Sequence, residues 1–253
     1  MGRTLIISDL HLGACNSNTA AIDDLLGSRF DRLILNGDVL DHHDVRRYTS
    51  AHWSILNRLR RLAERNRVIL IRGNHDADPG WEGTEHGKQQ LVSGLVGCEL
   101  RESIDLRVNG LKYLVTHGDR FDRTMNLTWV GNVADMIYRG VQRINRPAAR
   151  WLKAQSKKRC GVVDAVRKIA VDHARAAGYD GVILGHTHFP ADEIAPGVRD
   201  IHYLNSGCWV DEPCHYIEVT DERMAVRVWP HAVPEPLVVL PRPEVLVPME
   251  ATA

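Results

Sequence analysis

Two histidines separated by one residue, His186 and His188, follow the apolar run Val182-Ile183-Leu184 and Gly185. In extended chain, side chains two residues apart point to the same side, so both imidazoles can reach one point in space. Histidine is the commonest metal ligand near neutral pH. The same grammar recurs upstream. Asp9-Leu10-His11 follows the apolar stretch Thr4 to Ile7, Gly37-Asp38-Val39-Leu40-Asp41 follows Leu33 to Leu35, Gly73-Asn74-His75-Asp76 follows Val68 to Ile71, and His117-Gly118-Asp119 follows Leu111 to Thr116. Singly, each has a bland reading: Asp9 as a helix cap, Asn74 as a turn residue, His117 as a satisfied strand-end histidine, Asp41 as a solvated loop acid. Five strand-end coincidences in one chain favour a shared site instead.

Asp9, His11, Asp38, Asn74, His117, His186 and His188 comprise two carboxylates, one amide oxygen and four imidazoles. One octahedral ion cannot use seven ligands and leave room for substrate. Two ions sharing a bridging carboxylate can. Mixed oxygen and nitrogen ligands without thiolate suit two divalent transition-metal ions, with manganese the leading expectation and iron, zinc or cobalt as alternatives. They argue against calcium or magnesium alone. Two ions about 3.5–4 Å apart can clamp the phosphoryl oxygens of an in-line displacement.

The elements that must position these residues are legible from hydrophobic pattern. Buried strands are expected at Arg3 to Ser8, Asp31 to Asn36, Val68 to Ile71 and Val182 to Leu184, and in α/β sheets sites form at the carboxyl ends of such strands. Helices are expected at Thr19 to Leu26, Trp53 to Arg65 and around Lys88 to Leu95. Glu99 to Arg101, Ile104 to Val108 and Leu111 to Thr116 read as a β-meander, its last two strands joined by Asn109-Gly110, a strong hairpin signal. Hairpins are also expected over Asp192 to Leu204 and from Cys214 to Val228. Residues 122–178 carry helical spacing of apolar residues, among them Leu127, Val130, Ile137, Val141 and Ile144. Beyond Trp229 come six prolines, so 230–253 cannot form a regular element.

The chain has 253 residues and a formal net charge of zero, with 32 basic and 32 acidic side chains. That length fits one large α/β domain. The balance argues against a general nucleic-acid-coating or membrane-coating protein. The five cysteines form no Cys-x-x-Cys pair. With no signal peptide expected at the amino terminus, they read as reduced thiols in a cytoplasmic protein. No apolar run approaches the roughly 18 residues that a membrane span needs. His42, His43 and His52 match no ligand position and read as exposed or supporting residues. Cys15 reads as a buried or bystander thiol, and Asp76 as a structural turn acid.

In this order, Asp9-Leu10-His11, Gly37-Asp38-x-x-Asp41, Gly73-Asn74-His75-Asp76, His117-Gly118 and Gly185-His186-Thr187-His188 resemble the calcineurin-like metallophosphoesterases. The motifs span residues 9 to 188, about three-quarters of the chain. The resemblance implies a four-layer α/β sandwich of two mixed β-sheets flanked by helices, with an inserted helical cap at 122–178. It implies one ion held by Asp9, His11, Asp38 and His188, and another by Asp38, Asn74, His117 and His186. It also implies that His75 faces the substrate and protonates or stabilises the leaving oxygen, oriented by Asp41.

A narrower resemblance joins His117-Gly118-Asp119, the helical insert, Gly185-His186-Thr187-His188-Phe189-Pro190 and Asn205-Ser206-Gly207 to the UDP-2,3-diacylglucosamine pyrophosphohydrolase family of lipid A synthesis. That family cuts a pyrophosphate bond to release UMP and a lipid phosphate. The chain departs from it at His75, where the established lipid A enzymes carry an arginine, and at Asp41 to Tyr48, which lacks their acidic and aromatic run. From Arg139 to Lys168 the insert holds ten basic residues against one acid, Asp164. A basic, amphipathic segment suits an anionic lipid substrate or a membrane surface; a solvated face over packed helices is the equal alternative. Lys158, with Arg150 and Lys157, is the leading phosphate-contact candidate.

The expected substrate is thus a phosphorylated small molecule or lipid-linked nucleotide, with peripheral association at the inner membrane surface through the cap. A phosphodiesterase or phosphomonoesterase acting on soluble nucleotides is the alternative. A nuclease ranks below both, because no DNA-engaging domain is expected after residue 188. A binding scaffold ranks last, because all seven ligand types are retained.

Overall fold

The computed structural model describes residues 2–41, 45–76, 85–123, 161–221 and 223–230. Its first sheet takes strands β1 (Thr4–Ile7), β2 (Arg32–Asn36), β3 (Val68–Ile71), β4 (Leu100–Arg101), β10 (Cys214–Val219) and β11 (Met224–Trp229) in the order β11-β10-β1-β2-β3-β4. The four from β1 to β4 run parallel, and β10 and β11 close one edge antiparallel. The second sheet takes β5 (Ile104–Val108), β6 (Leu111–Val115), β7 (Gly181–Leu184), β8 (Ala191–Ala195) and β9 (Ile201–Asn205) in the order β5-β6-β7-β9-β8. Here β6, β7 and β9 are parallel, with β5 and β8 antiparallel at the edges.

Strands covered on both faces read as continuous apolar runs, and here alternate residues serve two cores. Ile6, Ile34 and Ile71 point between the sheets and meet Val115, Ile183 and Leu204. Leu5, Ile7, Leu33, Leu35 and Leu70 point outward, under helices α1 (Thr19–Gly27), α2 (Ser50–Ala63) and α3 (Glu85–Val96). On the far side Leu114, Val182, Leu184 and Tyr203 pack beneath helix α4 (Val162–Ala176) through Val166, Ala170 and Ala174. The result is the expected four-layer arrangement, helices outside two mixed sheets. The α4 helix, the last part of the 122–178 insert, lies in the outer layer on the second sheet. Residues 124–160 and 231–253 lie outside the described residues, and with them most of the cap and the proline-rich tail.

One local expectation is corrected. Leu100–Arg101 does not join a meander with β5; it pairs parallel with Leu70 and Ile71 of β3 in the other sheet. The α3 crossover returns the chain to the parallel order, and the hairpin begins only at Ile104. That hairpin turns as expected at Asn109-Gly110, whose φ values of 52° and 79° are the paired positive angles of a tight two-residue turn.

Candidate metal centre

The three strands β1, β2 and β3 are parallel, so Asp9 and His11, Asp38, and Asn74 leave the first sheet at one edge. His117 follows β6 and His186 and His188 follow β7, which are parallel in the second sheet. The two edges meet, and the side chains converge. His188 Nε2 lies 3.0 Å from Asp9 Oδ1 and 3.3 Å from His11 Nε2. Asp38 Oδ2 stands between the two halves, 3.3 Å from His117 Nε2 and 3.8 Å from His11 Nε2. On the other side His186 Nδ1 is 3.0 Å from Asn74 Oδ1, and the rings of His117 and His186 lie 5.3 Å apart. Asp9, His11 and His188 have donor atoms within 4.8 Å of one another, as do Asp9, Asp38 and His117. All seven residues picked from the sequence are therefore brought together, with the Asp38 carboxylate between His117 and His11.

The backbone at the site is held in an unusual conformation. Seven non-glycine residues have positive φ among the described residues, and five are Asp9 (55°), His11 (45°), Asp38 (53°), His186 (61°) and His188 (64°). The left-handed region costs an L-residue about 1–2 kcal/mol each, and such strain persists where the surrounding structure over-determines it. The cradle is also tight. A Cβ on Gly73 would sit 2.2 Å from Asp38 Oδ1 and 2.3 Å from the Asp38 backbone nitrogen, and one on Gly185 would sit 2.3 Å from Ser8 Oγ.

The donor atoms fit a metal. Asp9 Oδ1 and His117 Nε2 are buried with no hydrogen-bond partner. Both have a close neighbour, but off the line of a hydrogen bond. Unsatisfied buried polar atoms call for a specific cause, and lone pairs aimed at a shared centre supply one. The other polar atoms of His117, Asp9 and Asp38 are anchored. His117 Nδ1 donates to the Asn36 carbonyl (2.8 Å), which leaves Nε2 as the ring nitrogen that faces the site. Asp9 Oδ2 accepts the His186 N–H (3.0 Å), and Asp38 Oδ1 accepts the His75 N–H (2.8 Å).

Residues outside the seven complete the frame. Asn36 Nδ2 donates to the Thr116 carbonyl, tying the two sheets beside His117. Asn205 Nδ2 donates to the Gly185 carbonyl (2.7 Å) and to Thr187 Oγ1 (3.1 Å), holding the turn that carries both histidines. Asp76, fully buried, accepts from Val39 and Leu40 N–H through Oδ1 and from Gly73 N–H through Oδ2. It is the structural acid expected, but it binds two ligand loops together and not one turn. Asp211 and Cys208 have donor atoms within 4.8 Å of His188. Burial pushes the Cys208 thiol up to about 12, with Asp211 adding to the rise, so it stays protonated.

Electrostatics follow from this packing. Burial opposes charge on Asp9, His11, Asp38 and His117, yet mutual attraction prevails. Burial would raise Asp9, but His188, His11 and His117 hold it well below the usual carboxylate range. Asp38 is likewise lowered despite burial, chiefly by His117. Burial would lower His11 and His117, but the facing carboxylates raise His11 to about 9 and His117 to about 10. Without an ion, protons serve as the counter-charge.

His75 stands at the rim, its side chain 40% exposed. Its Nδ1 faces the backbone carbonyl of Asp41 at 3.2 Å. The Asp41 carboxylate is farther, 3.8 Å away, and lies nearer to Arg47 (3.3 Å) and His11 (3.5 Å). Asp41 thus meets His75 more closely through its main chain than through its carboxylate. His52 departs from expectation: it is buried and accepts the Thr49 N–H (3.0 Å) at the start of α2, a capping role. Cys15 is exposed, not buried. Lys158, Arg150, Lys157, His42 and His43 lie outside the described residues.

Comparison with known proteins decides the family. The calcineurin-like phosphoesterase family matches residues 2–190. The chain belongs to this family. It is accordingly a metal-dependent phosphoester hydrolase, in a family that is dimetal-dependent. Among solved structures, the phosphoesterase is similar to YfcE, a phosphoesterase from E. coli, at 17% identity and a TM-score of 0.51, covering 89% of this chain and 92% of that one. It is similar to an archaeal phosphodiesterase at 18% identity and a TM-score of 0.43, covering 89% and 99%. It is also similar to zinc-complexed Vps29 from Entamoeba histolytica at 15% identity and a TM-score of 0.43, covering 89% and 91%. No curated protein matches the chain in sequence. No helix among the described residues is long and apolar enough to cross a membrane.

Proposed function

We propose that Asp9, His11, Asp38 and His188 hold one divalent ion, that Asp38, Asn74, His117 and His186 hold a second, and that manganese is the native metal. The observation that carries this reading is the pair of buried atoms that no hydrogen bond satisfies, Asp9 Oδ1 and His117 Nε2, both grouped with Asp38. Two such ions supply Lewis-acid polarisation of phosphoryl oxygens and lower the pKa of water. The chain's own residues do the rest. Asp38 positions both halves and, through Oδ1, the backbone of His75. His75 is the group exposed toward incoming substrate, and its Nε2 end supplies a proton or hydrogen bond to the leaving oxygen. The Asp41 carbonyl keeps its ring turned that way.

The substrate we propose is a pyrophosphate or phosphodiester in a lipid-linked nucleotide of the UDP-diacylglucosamine type. Support comes from the sequence: Phe189-Pro190 and Asn205-Ser206-Gly207 follow the histidine motif as in that family, and the insert joins an apolar stripe to a basic cluster. Lys158, Arg150 and Lys157 would contact the phosphate. An acylated substrate would bring the enzyme to the cytoplasmic surface of the inner membrane without a span. Release of UMP from UDP-diacylglucosamine tests this directly. Turnover of soluble nucleotide diesters with no UMP release would replace it with a soluble nucleotide phosphodiesterase.

A further inference from the structure

His186 is gripped from both ends of its ring. Nδ1 faces Asn74 Oδ1 at 3.0 Å. Nε2, on the opposite side, lies 2.9 Å from Asp122 Oδ2. A ligating histidine whose other nitrogen meets a carboxylate is fixed in tautomer and orientation. With Nε2–H donated to Asp122, the Nδ1 lone pair is directed to where Asn74, His117 and Asp38 converge.

Asp122 is delivered there by a short, well-anchored turn. Gly118, at φ 112°, reverses the chain straight after His117. The 3-10 turn Asp119–Phe121 follows, and the Asp122 N–H closes it on the Asp119 carbonyl (2.9 Å). Phe121 is buried in the cluster of Leu184 and Val166, and its ring lies 5.4 Å from that of His173 on α4. Asp119 meets Arg72 at 3.4 Å, immediately before the Gly73-Asn74 turn. The Asp122 side chain is only 9% exposed, so little water competes for His186. The turn therefore links three strand ends: those bearing Asn74, His117 and His186.

We propose that Asp122 is a positioning residue for the second ion: it sets the His186 tautomer so that Nδ1, not Nε2, is the ligating atom. This rests on the ligand assignment above. Asp122 is also the first residue of the 122–178 insert, so the root of that insert is fastened to a metal ligand.

Zinc binding to the full chain, resolved into two steps by competition with a chromophoric chelator, tests the proposal. So does the 15N imidazole spectrum of the zinc-loaded protein. Asp122→Ala and Asp122→Asn should weaken one step by about 10–100-fold and leave the other step and the melting temperature of the metal-free protein unchanged. Asp122→Glu should recover part of the loss. In wild type, the His186 spectrum should show a protonated Nε2 and zinc on Nδ1. Two intact steps in both Asp122 variants, or zinc on Nε2, would overturn the inference while sparing the ligand assignment. A wild type that binds fewer than two ions overturns both.

Discussion

The ring of His75 stands edge-on to that of His11, centroids 4.7 Å apart and planes at 87°. Both lean on Asp41, His75 on its carbonyl and His11 toward its carboxylate. A partly exposed imidazole is thereby packed edge-on against a buried one. His75→Ala should leave metal content near wild type and lower turnover by about 10²–10⁴-fold, the scale of acid–base help. The loss should shrink for p-nitrophenolate, which leaves without a proton. Equal losses on good and poor leaving groups would indicate positioning alone. Asp41→Asn keeps the carbonyl contact, so its effect should be smaller; steady-state kinetics on both substrates measure it.

The Asp38 carboxylate meets groups from both halves of the site: His117, His11 and the His75 backbone. Asp38→Asn should lower occupancy of both ions, whereas His188→Ala should chiefly affect one. Metal analysis of the two purified variants after identical dialysis distinguishes them; a one-ion loss in Asp38→Asn would refute the bridge.

Asp76 satisfies three backbone N–H groups on the loops that carry Asp38 and Asn74. Asp76→Ala should destabilise the protein by at least about 1–3 kcal/mol, the cost of a buried group left unpaired, read from urea unfolding. Asp76→Asn keeps one acceptor oxygen and should lose less.

The strands were legible because both their faces are buried, and the residues that converge at the site because each stands just past such a strand. What was not legible is instructive. Asn36 and Asp122 act through contacts with residues 80 and 64 positions away, and no local pattern announces such partners; Asn205 stood in a quoted motif, but its hold on the Gly185 carbonyl did not show there. Leu100–Arg101 carries too few residues to state which sheet it joins; the crossover decides. Asp41 stands in its motif, but its carbonyl lies nearer His75 (3.2 Å) than its carboxylate does (3.8 Å). A motif preserves residue type, and main-chain contacts leave no mark on it.

The metal-free protein should lose stability as pH rises. His11 and His117 bind protons with pKa values of about 9 and 10, against about 6.5 in an unfolded chain. Between those limits the folded state holds more protons, so stability falls with rising pH. It is fully present below about pH 6.5 and lost through pH 10. Asp9 and Asp38, lowered in the fold, act oppositely: their contribution is present above the unfolded carboxylate range and lost on acidification. Bound ions replace the histidine protons, so the loaded protein should not show the alkaline loss. Melting curves of stripped and loaded protein from pH 6 to 10 compare them; parallel curves would count against proton–metal competition.

The metal content of the purified chain, measured before and after chelation alongside hydrolysis of bis-p-nitrophenyl phosphate, addresses the two-ion centre most directly. Two transition-metal ions per chain are expected, manganese foremost, with activity abolished on stripping and restored on re-addition. Full activity in the stripped protein would contradict it.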